Sequence, residues 1–157
     1  MSLGVEWAVH CCVVMSQSDG PVPSQKLAEL HGVSPSYLAK HLQQLARAEL
    51  VAATEGRVGG YQLTRAAERI SVLDVVQAIE GRESAFRCTE IRQNGPLPTP
   101  PEACRKPCGV ARVFHAAEGA YRAALQKVTI ADLAATVETE SGPETFVVLR
   151  RWLEPVS

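Results

Sequence analysis

The sequence predicts a mainly α-helical fold with one small β-hairpin, on three observations. Apolar residues recur at helical spacing in several separate stretches. One pair of short β-prone runs, residues 50–54 and 61–65, brackets the glycine-rich turn EGRVGG. Two short helical stretches joined by a tight turn stand directly before that pair. Helix, turn, helix and hairpin in that order make a winged helix-turn-helix, here followed by a long helix.

Each element has a local reason. In VEWAVHCCVVMSQ (5–17), Val5, Ala8, Val9, Cys12 and Val13 form an apolar stripe, and SDGPVP ends it. SQKLAELHG (24–32) has a serine at its start, Leu27, Ala28 and Leu30 as apolar positions, and Gly32 as a stop. Ser34 before Pro35 is a strong helix start, because a proline at the first helical position gives up no needed N–H; Leu38, Leu42 and Leu45 mark its buried face. A further helix over 71–80 turns Leu73, Val76 and Ile79 inward. Periodicity then fails from Gly81 to Pro107, a stretch holding five of the ten prolines. A long alanine-rich helix is expected over 109–128, and Thr129 with Asp132 reads as a capping pair for the next. The domains expected are a DNA-binding unit over 1–80, a cysteine-containing loop over 81–108, the long helix and its successor over 109–138, and a tail of unassigned role over 139–157.

Composition narrows the function. The 157 residues carry a net charge of −1, so a nucleic-acid partner has to be met by local charge. Residues 24–65 hold five Lys/Arg against three Glu. No apolar run nears the roughly 18 residues of a membrane span. The N-terminus lacks the basic start and cleavage site of a secretory signal, so a cytoplasmic location with reduced thiols is expected. Cys104 and Cys108 raise the possibility of a redox or metal-transfer enzyme. There is, however, no Cys-x-x-Cys on a βαβ unit, no phosphate-cradling glycine loop and no evident nucleophile–base pair, so an enzyme is not expected.

In a winged helix-turn-helix the second helix enters the major groove, where base edges differ uniquely. Ser34, Ser36, Tyr37 and Lys40 lie at its N-terminal end, His41 and Gln44 are read as continuing its exposed face, Arg57 sits in the wing turn, Gly59 and Gly60 permit close approach to DNA, and Arg65 ends the hairpin.

The five cysteines fall into two groups. Cys11 and Cys12 sit in a helix and read as small buried apolar residues. Cys88, Cys104 and Cys108 lie in the aperiodic loop; on the residues alone they admit an iron–sulfur cluster, zinc, a regulatory disulfide or no role. Glu6 and His10, at i and i+4, share one helix face and either converge on a metal or form a solvated surface.

The stretch VSPSYLAKHLQQLARAELVAATEGRVGGYQLTR, with ISVLDVVQAIEG and KVTIADL after it, resembles the Rrf-two family of bacterial transcription regulators over about residues 4–135. That resemblance implies a homodimer in which the 109–128 helix pairs with its twin, reading a pseudo-palindromic double-stranded DNA operator. It also implies an iron–sulfur cluster held at the positions of Cys88, Cys104 and Cys108, completed by a first-helix carboxylate of the other subunit, here Glu6. A redox-sensing branch pairs a Glu and a His on the first helix, as Glu6 and His10, with loop cysteines around a [2Fe–2S] cluster, and the signal the resemblance implies is redox state, nitric oxide or iron–sulfur status. One thiol is then spare, and Cys108 aligns best. The spacing departs from familiar members, since fifteen residues separate Cys88 from Cys104 and Ala111 replaces a histidine. The alternative is a cluster-free regulator of the same fold that uses thiol oxidation or a small-molecule effector.

Overall fold

The computed structural model describes residues 1–56 and 59–154. Seven helices and two strands are found among them: α1 (Leu3–Met15), α2 (Ser24–His31), α3 (Pro35–Arg47), β1 (Val51–Thr54), β2 (Gly60–Leu63), α4 (Val72–Glu80), α5 (Gly109–Gln126), α6 (Ile130–Ser141) and α7 (Glu144–Leu153). The fold is the expected helical one with a single antiparallel hairpin, its register running from Val51 opposite Leu63 to Thr54 opposite Gly60. The chain divides into two compact units, Met1–Gly81 with Leu125–Ser157, and Arg82–Ala124.

The first unit is built on a core of Cys11, Cys12, Val22, Leu27, Leu38, Leu42, Leu45, Ile70, Val75 and Ile130, all fully buried. Each of α1 to α4 contributes the apolar face its sequence period dictates, and burial of such side chains stabilises by roughly 1.5–3 kcal/mol each. Ser34 caps α3, its hydroxyl accepting from the Tyr37 N–H at 3.3 Å. Ser71 and Thr129 each start a helix with a full capping box, closed by Asp74 and Asp132. Those two caps also face each other: Ser71 and Thr129 form a β-bridge, flanked by Val72 N–H to Val128 O at 2.8 Å and Ile130 N–H to Ile70 O at 2.9 Å. That bridge fixes α6 against the core of this unit.

The end of α3 departs from sequence rules. The Glu49 N–H donates to Ala46 O and the Leu50 N–H to Leu45 O, a Schellman closure whose left-handed position is Glu49, at φ 57°. A glutamate there carries a Cβ penalty that glycine lacks. Glu49→Gly is therefore expected to raise unfolding stability by about 1 kcal/mol, checked by urea denaturation.

Within the stretch left unassigned by sequence, 139–157, lie the end of α6 and the whole of α7. Phe146 is buried in the same core, with Leu149 and Leu153 packed on it. From α2, the Lys26 ammonium donates to the carbonyls of Trp152 and, at 2.9 Å, Glu154, so a cation closes the C-terminal end of α7.

In the second unit, the segment before α5 contains short 3-10 turns at Ile91–Gln93 and Pro101–Arg105. Phe86 stacks on Phe114 of α5 with ring centroids 4.7 Å apart. Arg122 ties α5 to this segment by donating to the carbonyls of Arg82 and Glu83 at 3.0 and 3.1 Å.

Candidate nucleic-acid interface and cysteine loop

Ser34, Ser36, Tyr37 and Lys40 are exposed at the N-terminal end of α3. Further along, the helix turns differently from the reading made on residue type. His41 is only 7% exposed and Gln44 is half-buried. The Gln44 amide donates to Ile79 O of α4 at 3.0 Å, which leaves its carbonyl oxygen 3.0 Å from His41 Nδ1. His41 therefore carries its proton on Nδ1, and its Nε2 is buried without a hydrogen-bond partner among the described residues. Both side chains brace α3 against the core, correcting their assignment to the exposed face. The outward positions are Gln43 and Arg47. Spacing from Ser36 through Lys40 to Gln43 and Arg47 is the helical signal that finds them.

The wing glycines also have an internal explanation. A Cβ on Gly60 would meet the backbone of Val22, with its carbonyl carbon at 2.5 Å, and Pro23 N at 2.8 Å. One on Gly59 would lie 2.6 Å from Thr54 O. An added side chain at either position would meet main-chain atoms, so the closure of the hairpin on itself and on residue 22 requires glycine at both. Arg65 donates from Nε to Arg69 O at 3.1 Å and lies 4.0 Å from Asp74, so it ties the base of the hairpin to α4. Arg57 lies outside the described residues.

On α1, Glu6 and His10 are exposed on the outer face, while Gly4 is buried on the inner one. Gly4 lies against the His41 ring so closely that an added Cβ would fall 2.9 Å from Nδ1 and 3.0 Å from Nε2. One helix thus carries the two candidate ligands on one side and touches α3 on the other. The His31 ring of α2 packs against Trp7 and His10, with centroids 5.8 and 5.7 Å away. Burial, and then the neighbouring His10, lower its pKa.

All five thiols are free. Burial pushes the Cys11 thiol up to about 12 and Cys12 higher still, with Cys11 adding to the latter. Both are inert structural residues. Cys88 is exposed, and Cys104 and Cys108 are half-buried. Cys108 stands immediately before α5, and its sulfur accepts the Ala111 N–H at 3.3 Å. Alkylation of the native, metal-free protein is expected to label Cys88, Cys104 and Cys108 while sparing Cys11 and Cys12; peptide mass mapping checks this. Within the single chain, no three His, Cys, Asp or Glu side chains gather into a metal-binding group among the described residues. The donors themselves suit an iron–sulfur unit: soft, accessible sulfurs, one of them receiving a backbone N–H, and an exposed carboxylate and imidazole one helical turn apart. No helix among the described residues is long and apolar enough to cross a membrane.

The family model described as Rrf2, iron-dependent transcriptional regulator, matches residues 1–136. The chain belongs to the Rrf2 family. The HTH-type transcriptional repressor NsrR of Streptomyces coelicolor is 33% identical over 122 residues, covering 78% of this chain and 77% of the relative. Protein rrf2 of Nitratidesulfovibrio vulgaris is 40% identical over 78 residues, 50% of this chain and 52% of its own, so the chain spans about half the length of that relative. Among solved structures, T. potens IscR superposes with a TM-score of 0.69 at 21% identity, covering 94% of this chain and 95% of its own. CymR of B. subtilis does so with a TM-score of 0.64 at 22% identity, covering 87% and 96%. These two likenesses are of fold. The Rrf2 description is that of a transcriptional regulator and not of an enzyme, and α7 lies beyond the stretch that the Rrf2 model matches.

Proposed function

We propose that this Rrf2 chain is a homodimeric, DNA-binding transcription regulator that responds to redox state through a [2Fe–2S] cluster. The observation that carries the reading is the two-sided role of α1: Glu6 and His10 face outward, and Gly4 presses on His41 of α3. Cys108 and Cys104 or Cys88 of one protomer, with Glu6 and His10 of the other, would hold the cluster. When bound, it supplies a one-electron couple. The remaining steps belong to the protein. A shift of α1 is passed through Gly4 and His41 to α3, because a packed ring cannot absorb it in place. α3 presents Ser34, Ser36, Tyr37, Lys40, Gln43 and Arg47 to the groove.

A second copy suits the exposed apolar stripe of α5, where Val110, Val113, Phe114 and Tyr121 recur at helical spacing. Two reader units at fixed separation then weaken together when their spacing changes.

Operator shift assays on oxidised, reduced and cluster-free protein test the reading. At least tenfold different affinities are expected, all falling steeply with salt; equal affinity in the three states removes the sensing claim. The free, accessible loop thiols favour a second reading, in which their oxidation alone is the signal. Iron and sulfide analysis of anaerobically purified protein separates the two.

A further inference from the structure

We propose that Arg92 is a positioning residue that sets where Cys104 and Cys108 stand relative to one another. Its Nη1 donates to Ala103 O at 3.5 Å and its Nη2 to Lys106 O at 3.1 Å, the carbonyls of the residue before Cys104 and of the residue two before Cys108. Glu90 accepts from Nε and, at 2.8 Å, from Nη2. The Arg92 backbone closes the same loop from the other side: its carbonyl accepts the Thr99 N–H at 2.7 Å, and Thr99 O lies 4.0 Å from Cys104 Sγ. One side chain therefore spans the segment that contains the thiols.

Its surroundings explain why a side chain has this task. The segment from 96 to 107 contains five prolines, which cannot donate, so no regular backbone ladder can order it. Glu90 is held at φ 53°, a left-handed conformation that a non-glycine residue adopts only under constraint. Arg92 is 22% exposed, whereas Arg87, paired with Glu83 nearby in sequence, is 73% exposed. Lysine could not replace it, because a point charge cannot bridge two carbonyls and a carboxylate at once.

The guanidinium also brings a fixed positive charge to the thiols. Its own pKa is raised above the ordinary range, first by the hydrogen bond to Glu90, with Cys104 and Cys108 also contributing. A cation there favours electron-rich sulfur, and so the reduced form of any cluster the thiols hold. This electrostatic part rests on the cluster reading; the positional part does not.

The test uses the full chain with Arg92→Gln, Arg92→Lys and the control Arg87→Gln. In metal-free protein, tryptic cleavage after Arg105 reports loop order. Cleavage on the order of tenfold faster is expected in Arg92→Gln and Arg92→Lys but not in Arg87→Gln. Unchanged cleavage in both Arg92 variants, with the same melting temperature as the parent, overturns the positional claim. In protein reconstituted with iron and sulfide, the cluster potential is expected to move to more negative values in Arg92→Gln and to stay near the parent's in Arg92→Lys. Equal potentials in all three variants overturn the electrostatic part. Failure of the parent itself to take up iron and sulfide sinks the cluster reading, and the cleavage rates then still decide the role of Arg92.

Discussion

Gly60→Ala is expected to destabilise the protein by about 3 kcal/mol and to loosen the wing. Val22 and Tyr61 exchange both backbone hydrogen bonds, Val22 N–H to Tyr61 O at 2.8 Å and Tyr61 N–H to Val22 O at 2.9 Å. This bridge is how the hairpin is fastened to the chain between α1 and α2, and Val22 is itself fully buried. A methyl group at residue 60 would sit inside the van der Waals radius of the Val22 carbonyl and Pro23 N. Those atoms are main chain, so no rotamer change relieves the overlap. Either the bridge opens, losing two hydrogen bonds at about 1 kcal/mol each, or the hairpin twists away. Urea denaturation is expected to give a lower midpoint with an unchanged slope. Gly119→Ala is the comparison: an added Cβ on α5 meets nothing within 4 Å, so that variant should be neutral or stabilised by up to about 1 kcal/mol. Equal midpoints for the two variants would show that the Val22 contact is not what requires glycine.

The parts of this fold that were legible in the sequence are those specified locally. Ser34 with Pro35, and Thr129 with Asp132, announce helix starts through groups within one turn of each other, and both caps are present. The hairpin follows from two β-prone runs around a glycine-rich turn. Features specified over distance were not legible. α7 has an apolar stripe, but its C-terminal cap is Lys26, far away in sequence, and its core partners lie in other helices. His41 carries a polar side chain at a position whose helical phase, between Leu38 and Leu45, is inward; residue type suggested solvent and packing won. At Glu49 the backbone needs a left-handed residue, and the sequence supplies no glycine to announce it. The cysteine loop has no period to read, since it is tied by short 3-10 turns, single backbone hydrogen bonds and one arginine reaching backbone carbonyls.

The contact between Gly4 and His41 makes the strongest claim about function, and a double-mutant cycle measures it. Gly4→Ala forces its methyl into a buried imidazole, at an expected cost of about 1–3 kcal/mol. His41→Ala leaves a cavity and an unpaired Gln44 carbonyl, at about 2–3 kcal/mol. Together the two changes should cost less than their sum, by at least about 1 kcal/mol, since the alanine at 41 vacates the space that the alanine at 4 needs. Strict additivity would mean that α1 and α3 do not press on one another. The functional consequence is separable from stability. Because His41 lies on the helix that carries Ser36, Lys40, Gln43 and Arg47, Gly4→Ala should weaken operator binding at temperatures where the protein is fully folded. Val75→Ala, an equally buried change in α4, supplies a comparable loss of stability away from that contact and should leave the affinity near the parent's. If both variants bind alike, displacement of α1 does not reach the recognition helix by this route, and a signal at Glu6 and His10 would have to travel through the rest of the core.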